Sequence, residues 1–336
     1  MYIPVIYNNK PLMPTKPSRA RKWIKSGKAT GFWNKGVFCV RLNIEPSGFS
    51  LSPVVCGIDP GSKKEAYTVK SDNKTYLNIQ SDTVTWVKDK VEARRNARHT
   101  RRQRKTPYRK CRFNRKIGSI PPSTKARWQL KLRVLNWLKK IFPITDIVVE
   151  DIKAKTKENQ RRWNKGFSPL EVGKTWFYSE IEKLGNLHLF AGYETKAMRD
   201  YHGLKKSTHK MSNRFESHCV DSWCLAHEVV GTDSVVDNKD ILLVVPFNFF
   251  RRQLHVFNPA KGGKRRLYGG MKSLGFKRGS LVKHIKYGLC YLGGTSKGLI
   301  SLHGLLGGRR LCQNAKTSDI KFLTYSSWRC EASSPP

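Results

Sequence analysis

Val54-Val55-Cys56-Gly57-Ile58-Asp59-Pro60-Gly61-Ser62-Lys63 is the stretch whose reading decides the fold. Val54, Val55 and Ile58 are β-branched and favour a strand, and Pro60-Gly61 ends it in a turn. The run therefore reads as a buried strand that carries Asp59 to its carboxyl end. The chain has 336 residues, with 65 lysines and arginines against 24 aspartates and glutamates, so a carboxylate in an apolar run is not drawn from a common background. An aspartate before Pro-Gly also caps its own turn readily. Two further carboxylates in matching settings move the reading from cap to function.

The first is Glu150, after Ile147-Val148-Val149, at the end of a second apolar strand. Asp151 beside it leaves a one-residue shift open, although alternation with the buried side chains favours Glu150. The second lies in Arg214-Phe215-Glu216-Ser217-His218-Cys219-Val220-Asp221-Ser222-Trp223-Cys224-Leu225-Ala226, where Phe215, Cys219, Ser222 and Ala226 recur with helical period. His218 and Asp221 are three residues apart and share another face.

Carboxylates at the ends of a first strand, a later strand and a late helix suit two hard cations. Mg²⁺ takes oxygen ligands and completes its shell with water and phosphate. Two such ions, with Mn²⁺ as a substitute, stabilise the attacking and leaving oxygens of a phosphodiester displacement. In a chain this cationic, Asp59, Glu150 and Asp221 are expected to be ionised, and His218 to take a proton from the attacking water. Strand-Asp, hairpin, strand-Glu and helix-Asp, in that order, suggest an α/β chain with a split ribonuclease H-like core.

The formal net charge of +41 points to a polyanionic partner, with nucleic acid the default. A membrane surface is the competing polyanion, but no apolar run approaches the ~20 residues of a spanning helix. Met1-Tyr2-Ile3-Pro4 opens no secretory signal, so an intracellular, cytoplasmic setting is expected. The eight cysteines are scattered without a C-x-x-C pair, against both a zinc knuckle and a disulfide framework. Cys56 and Cys219 read as small buried hydrophobes.

The chain divides by composition. Residues 1–50 form a small α+β unit: a strand at Tyr2 to Tyr7, a basic helix at Thr15 to Ser26 and a hairpin from Gly31 to Leu42. Residues 51–82 hold the Asp59 strand and two more strands, Lys64 to Lys70 and Thr75 to Ile79. Residues 83–120 are a basic region in which Arg94, Arg95, Arg98, Arg101, Arg102, Arg104, Lys105, Arg109 and Arg112 are candidate nucleic-acid contacts. Several recur at helical spacing without compensating acids, a repulsion that a phosphate backbone would relieve. Arginine suits bidentate phosphate contacts and base stacking.

Residues 121–235 open with a helix whose Trp128, Leu132, Leu135, Leu138 and Phe142 make an apolar stripe. They continue through the Glu150 strand, a strand at Leu187 to Tyr193 and the His218–Asp221 helix. Residues 236–326 change to short β runs between glycines (Ile241 to Pro246, Leu254 to Phe257, Val282 to Ile285, Gly288 to Leu292 and Ile300 to Leu302), read as a small basic β-barrel or sandwich. Residues 327–336 read as a disordered tail.

Gly57-Ile58-Asp59-Pro60-Gly61-Ser62, Val148-Val149-Glu150 and His218-Cys219-Val220-Asp221-Ser222 resemble the three split motifs of a RuvC nuclease. With Pro11-Leu12-Met13-Pro14 before them, the arginine-rich stretch between the first two, and Pro259-Ala260-Lys261-Gly262-Gly263 and Gly293-Gly294-Thr295-Ser296-Lys297-Gly298 after them, the chain resembles the transposon-encoded IscB/IsrB group, relatives of the type II CRISPR effectors. The resemblance implies a monomeric protein bound to a long guide RNA that directs cleavage of double-stranded DNA beside a target-adjacent motif. It further implies an arginine-rich bridge helix, an N-terminal unit on RNA and a C-terminal β domain that reads the motif. Between Glu150 and His218 there is no HNH-type cluster, since His188, His202 and His209 are isolated. The shorter IsrB form therefore fits better, implying a nick in the displaced, non-target strand. Two other readings are a structure-selective resolvase without guide RNA and a non-catalytic RNA-binding protein.

Overall fold

In the computed structural model, residues 2–49, 51–103, 120–153, 170–231, 235–247 and 272–333 are described. The N-terminal unit runs β1 (Ile3–Tyr7), β2 (Lys10–Thr15), α1 (Pro17–Lys25), β3 (Ala29–Asn34) and β4 (Val37–Leu42). Its sheet has the order β2-β1-β4-β3. Val5, Ala20, Ala29 and Val40 form its own small core. The expected hairpin is β3–β4, closed by Lys35 and Gly36, both at positive φ.

The main body follows as β5 (Val55–Asp59), β6 (Lys64–Lys70), β7 (Thr75–Asp82), α2 (Trp86–Gln103), α3 (Pro122–Ile141), β8 (Asp146–Asp151), α4 (Lys174–Glu182), β9 (Asn186–Ala191), α5 (Gly192–Tyr201), α6 (Cys219–Val230) and β10 (Ile241–Pro246). The C-terminal part adds β11 (Lys272–Ser273), β12 (Phe276–Lys277), β13 (Ser280–His284), β14 (Gly288–Ser296), β15 (Leu299–His303), β16 (Arg310–Ala315), β17 (Ile320–Tyr325) and β18 (Trp328–Ser333).

A mixed seven-stranded sheet of order β18-β10-β7-β6-β5-β8-β9 is the centre of the molecule. β5, β6 and β7 are an antiparallel meander, while β8 and β9 extend it parallel to β5. The order expected from the sequence, an acidic strand, an antiparallel pair, a second acidic strand and an acidic helix, is present. One face of the sheet packs on α3 and α4, where Cys56, Ile58, Ile147 and Val149 meet Trp128, Leu135, Leu138 and Phe177. On the other face lies α6, where Val55 and Val148 meet Leu225 and Ala226. Alternation sends Val55, Gly57 and Asp59 toward α6, and Cys56 and Ile58 toward α3.

Three expectations are corrected. Ile241–Pro246 does not belong to the C-terminal β unit; it is β10, parallel to β7 in the central sheet. Its unbroken apolar run suits a strand covered on both faces, which a reading by neighbourhood in sequence misses. Residues 328–333 of the expected disordered tail are β18, antiparallel to β10. Trp328 pins this strand: it is fully buried and packs edge-on against Trp137 of α3, ring centroids 5.3 Å apart. Third, the C-terminal strands make an open antiparallel sheet of order β16-β15-β14-β13-β17, and no closed barrel forms among the described residues. The β17 edge turns instead toward the β3–β4 hairpin, where the Lys35 backbone N–H donates to Thr324 Oγ1 at 3.2 Å. The expected strand Leu254 to Phe257 and the Pro259–Gly263 motif lie outside the described residues.

Candidate active site and nucleic-acid interface

The site is assembled by register. β5 and β8 run in parallel with Ile58 opposite Val149, so the next step along each strand sets Asp59 beside Glu150. Asp59 is buried. The same alternation settles the neighbouring ambiguity. Asp151 points the other way, accepting hydrogen bonds from Lys174 Nζ and Tyr178 Oη of α4, both at 2.9 Å. It is occupied structurally.

The third carboxylate comes from α6, which crosses β5 at Gly57. A Cβ there would lie 2.0 Å from the Ser222 carbonyl oxygen and 2.8 Å from the Ala226 nitrogen. Only a residue without a side chain lets helix and strand approach this closely. The seating is reinforced by Thr68 Oγ1 and Ser222 Oγ, 2.8 Å apart. It places Asp221, fully buried in the first turn of α6, and His218, the helix N-cap, over the ends of β5 and β8. His218 Nε2 donates to the Lys210 carbonyl at 2.8 Å, leaving Nδ1 toward Asp59 Oδ2 at 3.5 Å. The ring is therefore held from behind with its second nitrogen aimed into the carboxylates.

All four residues expected from the sequence converge, and two more join them. Arg199 of α5 and Lys206 of the loop after it both form ion pairs with Asp221, the guanidinium on Oδ1 and the ammonium on Oδ2. Sequence reasoning missed both because neither stands in an apolar run. In a chain with 65 basic residues, one more lysine carries no signal.

The carboxylates are not electrostatically equivalent. Burial works to raise Asp59, but the hydrogen bond from His218 and the charges of Lys206 and His218 outweigh it and hold Asp59 below its ordinary value. Glu150 takes the opposite course: burial, then the negative charges of Asp59 and Asp221, push it up to about 8. Glu150 is thus the carboxylate of the three that most resists ionisation in the metal-free chain. Net positive charge elsewhere does not offset desolvation and two nearby carboxylates. Cys56 and Cys219, buried beside the site, have thiols pushed up by burial, Cys56 to about 12, and are packing groups as expected.

As a donor set, three hard carboxylates suit a divalent cation in chemical type. In the present arrangement, however, Asp221 is turned to Arg199 and Lys206. Among the described residues no group of three His, Cys, Asp or Glu is disposed as a metal centre.

The candidate nucleic-acid contacts that the structure describes lie on α2. Arg94, Arg95, Arg98 and Arg102 are exposed, and Arg95, Arg98, His99 and Arg102 line an open cleft of about 440 Å³. Arg104, Lys105, Arg109 and Arg112 lie outside the described residues. A larger concavity, about 860 Å³, lies away from the carboxylates and is lined in part by Lys35, Arg133 and Lys140 with Trp86 and Trp176. No helix among the described residues is long and apolar enough to cross a membrane.

A family model described as RRXRR protein matches residues 3–168. The match takes in the N-terminal unit, β5 to β8, Asp59 and Glu150, and ends before His218 and Asp221. Comparison with curated proteins finds no match. Among solved structures, the chain is similar to T. thermophilus RuvC in complex with a Holliday junction substrate. That similarity is at 16% identity and TM-score 0.29, over 52% of this chain and 90% of that one.

Proposed function

We propose that this protein is a divalent-metal-dependent DNA endonuclease of the RuvC type, directed by a guide RNA and nicking the non-target strand. The observation that carries the nuclease reading is the convergence of Asp59, Glu150 and Asp221, with His218, at the ends of two parallel strands and one helix. The RRXRR match supports the finer reading, because that domain is found in IscB/IsrB-like proteins.

Asp59, Glu150 and Asp221 would hold the metal, Mg²⁺ or Mn²⁺, which supplies charge stabilisation and an activated water. The protein's own contribution is positional. Parallel register fixes Asp59 against Glu150, the Gly57 contact fixes Asp221 above them, and the Lys210 carbonyl orients His218. With Nε2 committed to that carbonyl, Nδ1 is the nitrogen turned toward Asp59 and the reacting centre. The exposed arginines of α2 supply the polyanion contact, and base pairing by the guide supplies sequence selection.

The test is to express the full chain with its native flanking RNA, purify the complex and assay supercoiled plasmid carrying a target. Open-circle product that requires both RNA and Mg²⁺ is expected. Asp59→Ala, Glu150→Ala and Asp221→Ala should each lower it by about 10³-fold or more, as loss of acting groups in one unit does, while leaving guided DNA binding. Undiminished nicking by all three variants defeats the nuclease assignment. Nicking of branched DNA without co-purified RNA defeats the guide.

A further inference from the structure

Two cations reach Asp221, and they differ in how they are held. Arg199 projects from α5, with a side chain only 15% exposed. Lys206 comes from the loop between α5 and α6, with a side chain 31% exposed, and reaches inward on a flexible four-carbon stem. Lys206 thus occupies an oxygen of Asp221 that a divalent cation would also need.

We propose that Lys206 is the resident counter-ion of Asp221, competing with a divalent cation for that carboxylate. The inference rests on the metal reading above and adds a residue to it. Two positive groups cannot share one carboxylate cluster without repulsion, so an incoming metal must drive the ammonium outward. The loop attachment and flexible stem make Lys206, rather than Arg199, the cation able to leave. In the metal-free chain Lys206 thus limits carboxylate repulsion, and its presence weakens metal affinity.

Competition gives a sign that a structural role does not. Mn²⁺ binding to the full chain, read as loss of the free-ion paramagnetic resonance signal, is compared for the parent chain, Lys206→Met, Lys206→Arg, Lys205→Ala and Asp221→Ala. Lys206→Met keeps the apolar stem without the charge, and should bind Mn²⁺ more tightly by about 5- to 150-fold, the usual span of a coupling between two ligands. Lys206→Arg should restore the parent affinity. Lys205→Ala removes one charge from the exposed neighbouring residue and should change affinity little, while Asp221→Ala should lose binding. Circular dichroism establishes that each variant is folded. Parent binding that Lys206→Met leaves unchanged or weakens overturns the inference and leaves the metal reading standing. Absence of Mn²⁺ binding in every variant overturns both.

Discussion

The two faces of the central sheet each hold carboxylates beside a lysine, and they are built for opposite ends. On the α3 face, Glu65 of β6 meets Lys131 of α3, with both side chains at 0% exposure. Tyr67 Oη donates to Glu65 Oε1 at 2.7 Å, while the ammonium meets Oε2 in an ion pair without the alignment of a hydrogen bond. The charges match one to one and the surrounding core seals them. On the α6 face three carboxylates crowd together, Glu150 is only half-buried, and one of the two cations comes from a loop at the open rim. A sealed, matched pair holds two elements together. An open cluster with one cation on a flexible loop residue can exchange that cation for another ligand.

Breaking the sealed pair should show the largest stability effect. Lys131→Met leaves Glu65 buried without its cation and should cost about 3–5 kcal/mol, whereas the double variant Lys131→Met with Glu65→Leu should recover most of that. Urea unfolding of the single and double variants measures both. Equal stability of Lys131→Met and the parent chain would remove the distinction between the two faces.

A smaller stability change should have the larger consequence on the open face. Gly57→Ala places a methyl group against the α6 backbone, so the helix must lift from β5 and carry Asp221 with it. The expected cost is about 1–3 kcal/mol, typical of overpacking, with plasmid nicking lost well beyond what the unfolded fraction accounts for. Full nicking at reduced melting temperature would show that the seating of α6 does not position the site.

The least effect on fold belongs to the outer surface. Neutralising Arg94, Arg95, Arg98 and Arg102 should leave the melting temperature unchanged and flatten the salt dependence of nucleic-acid binding. Every phosphate that is no longer neutralised should lower the slope of log K against log salt by roughly 0.7 to 0.9. An unaltered slope would mean that α2 does not lie against the backbone.

The strand ends and the helix turn that carry Asp59, Glu150, His218 and Asp221 were legible because each acid interrupts a local apolar pattern, period two for the strands and helical for α6. The choice between Glu150 and Asp151 needed the structure, since adjacent strand residues differ only in the face they point to. Lys206 and Arg199 gave no local signal, because what sets them apart is what lies across from them. The same holds for Glu65 and Lys131, which stand far apart in the chain and meet only when α3 packs on the sheet.

By itself, the order of residues determined most of the strand and helix types and which acids end the strands of the core, both of which follow from short-range periodicity, and its summed charge set the expectation of a polyanionic partner. Tertiary structure alone decided that β10 and β18 complete the central sheet, that the last β unit stays open, and that Lys206 reaches Asp221. Those are long-range pairings, fixed by which surfaces bury together and not by any pattern within a single segment.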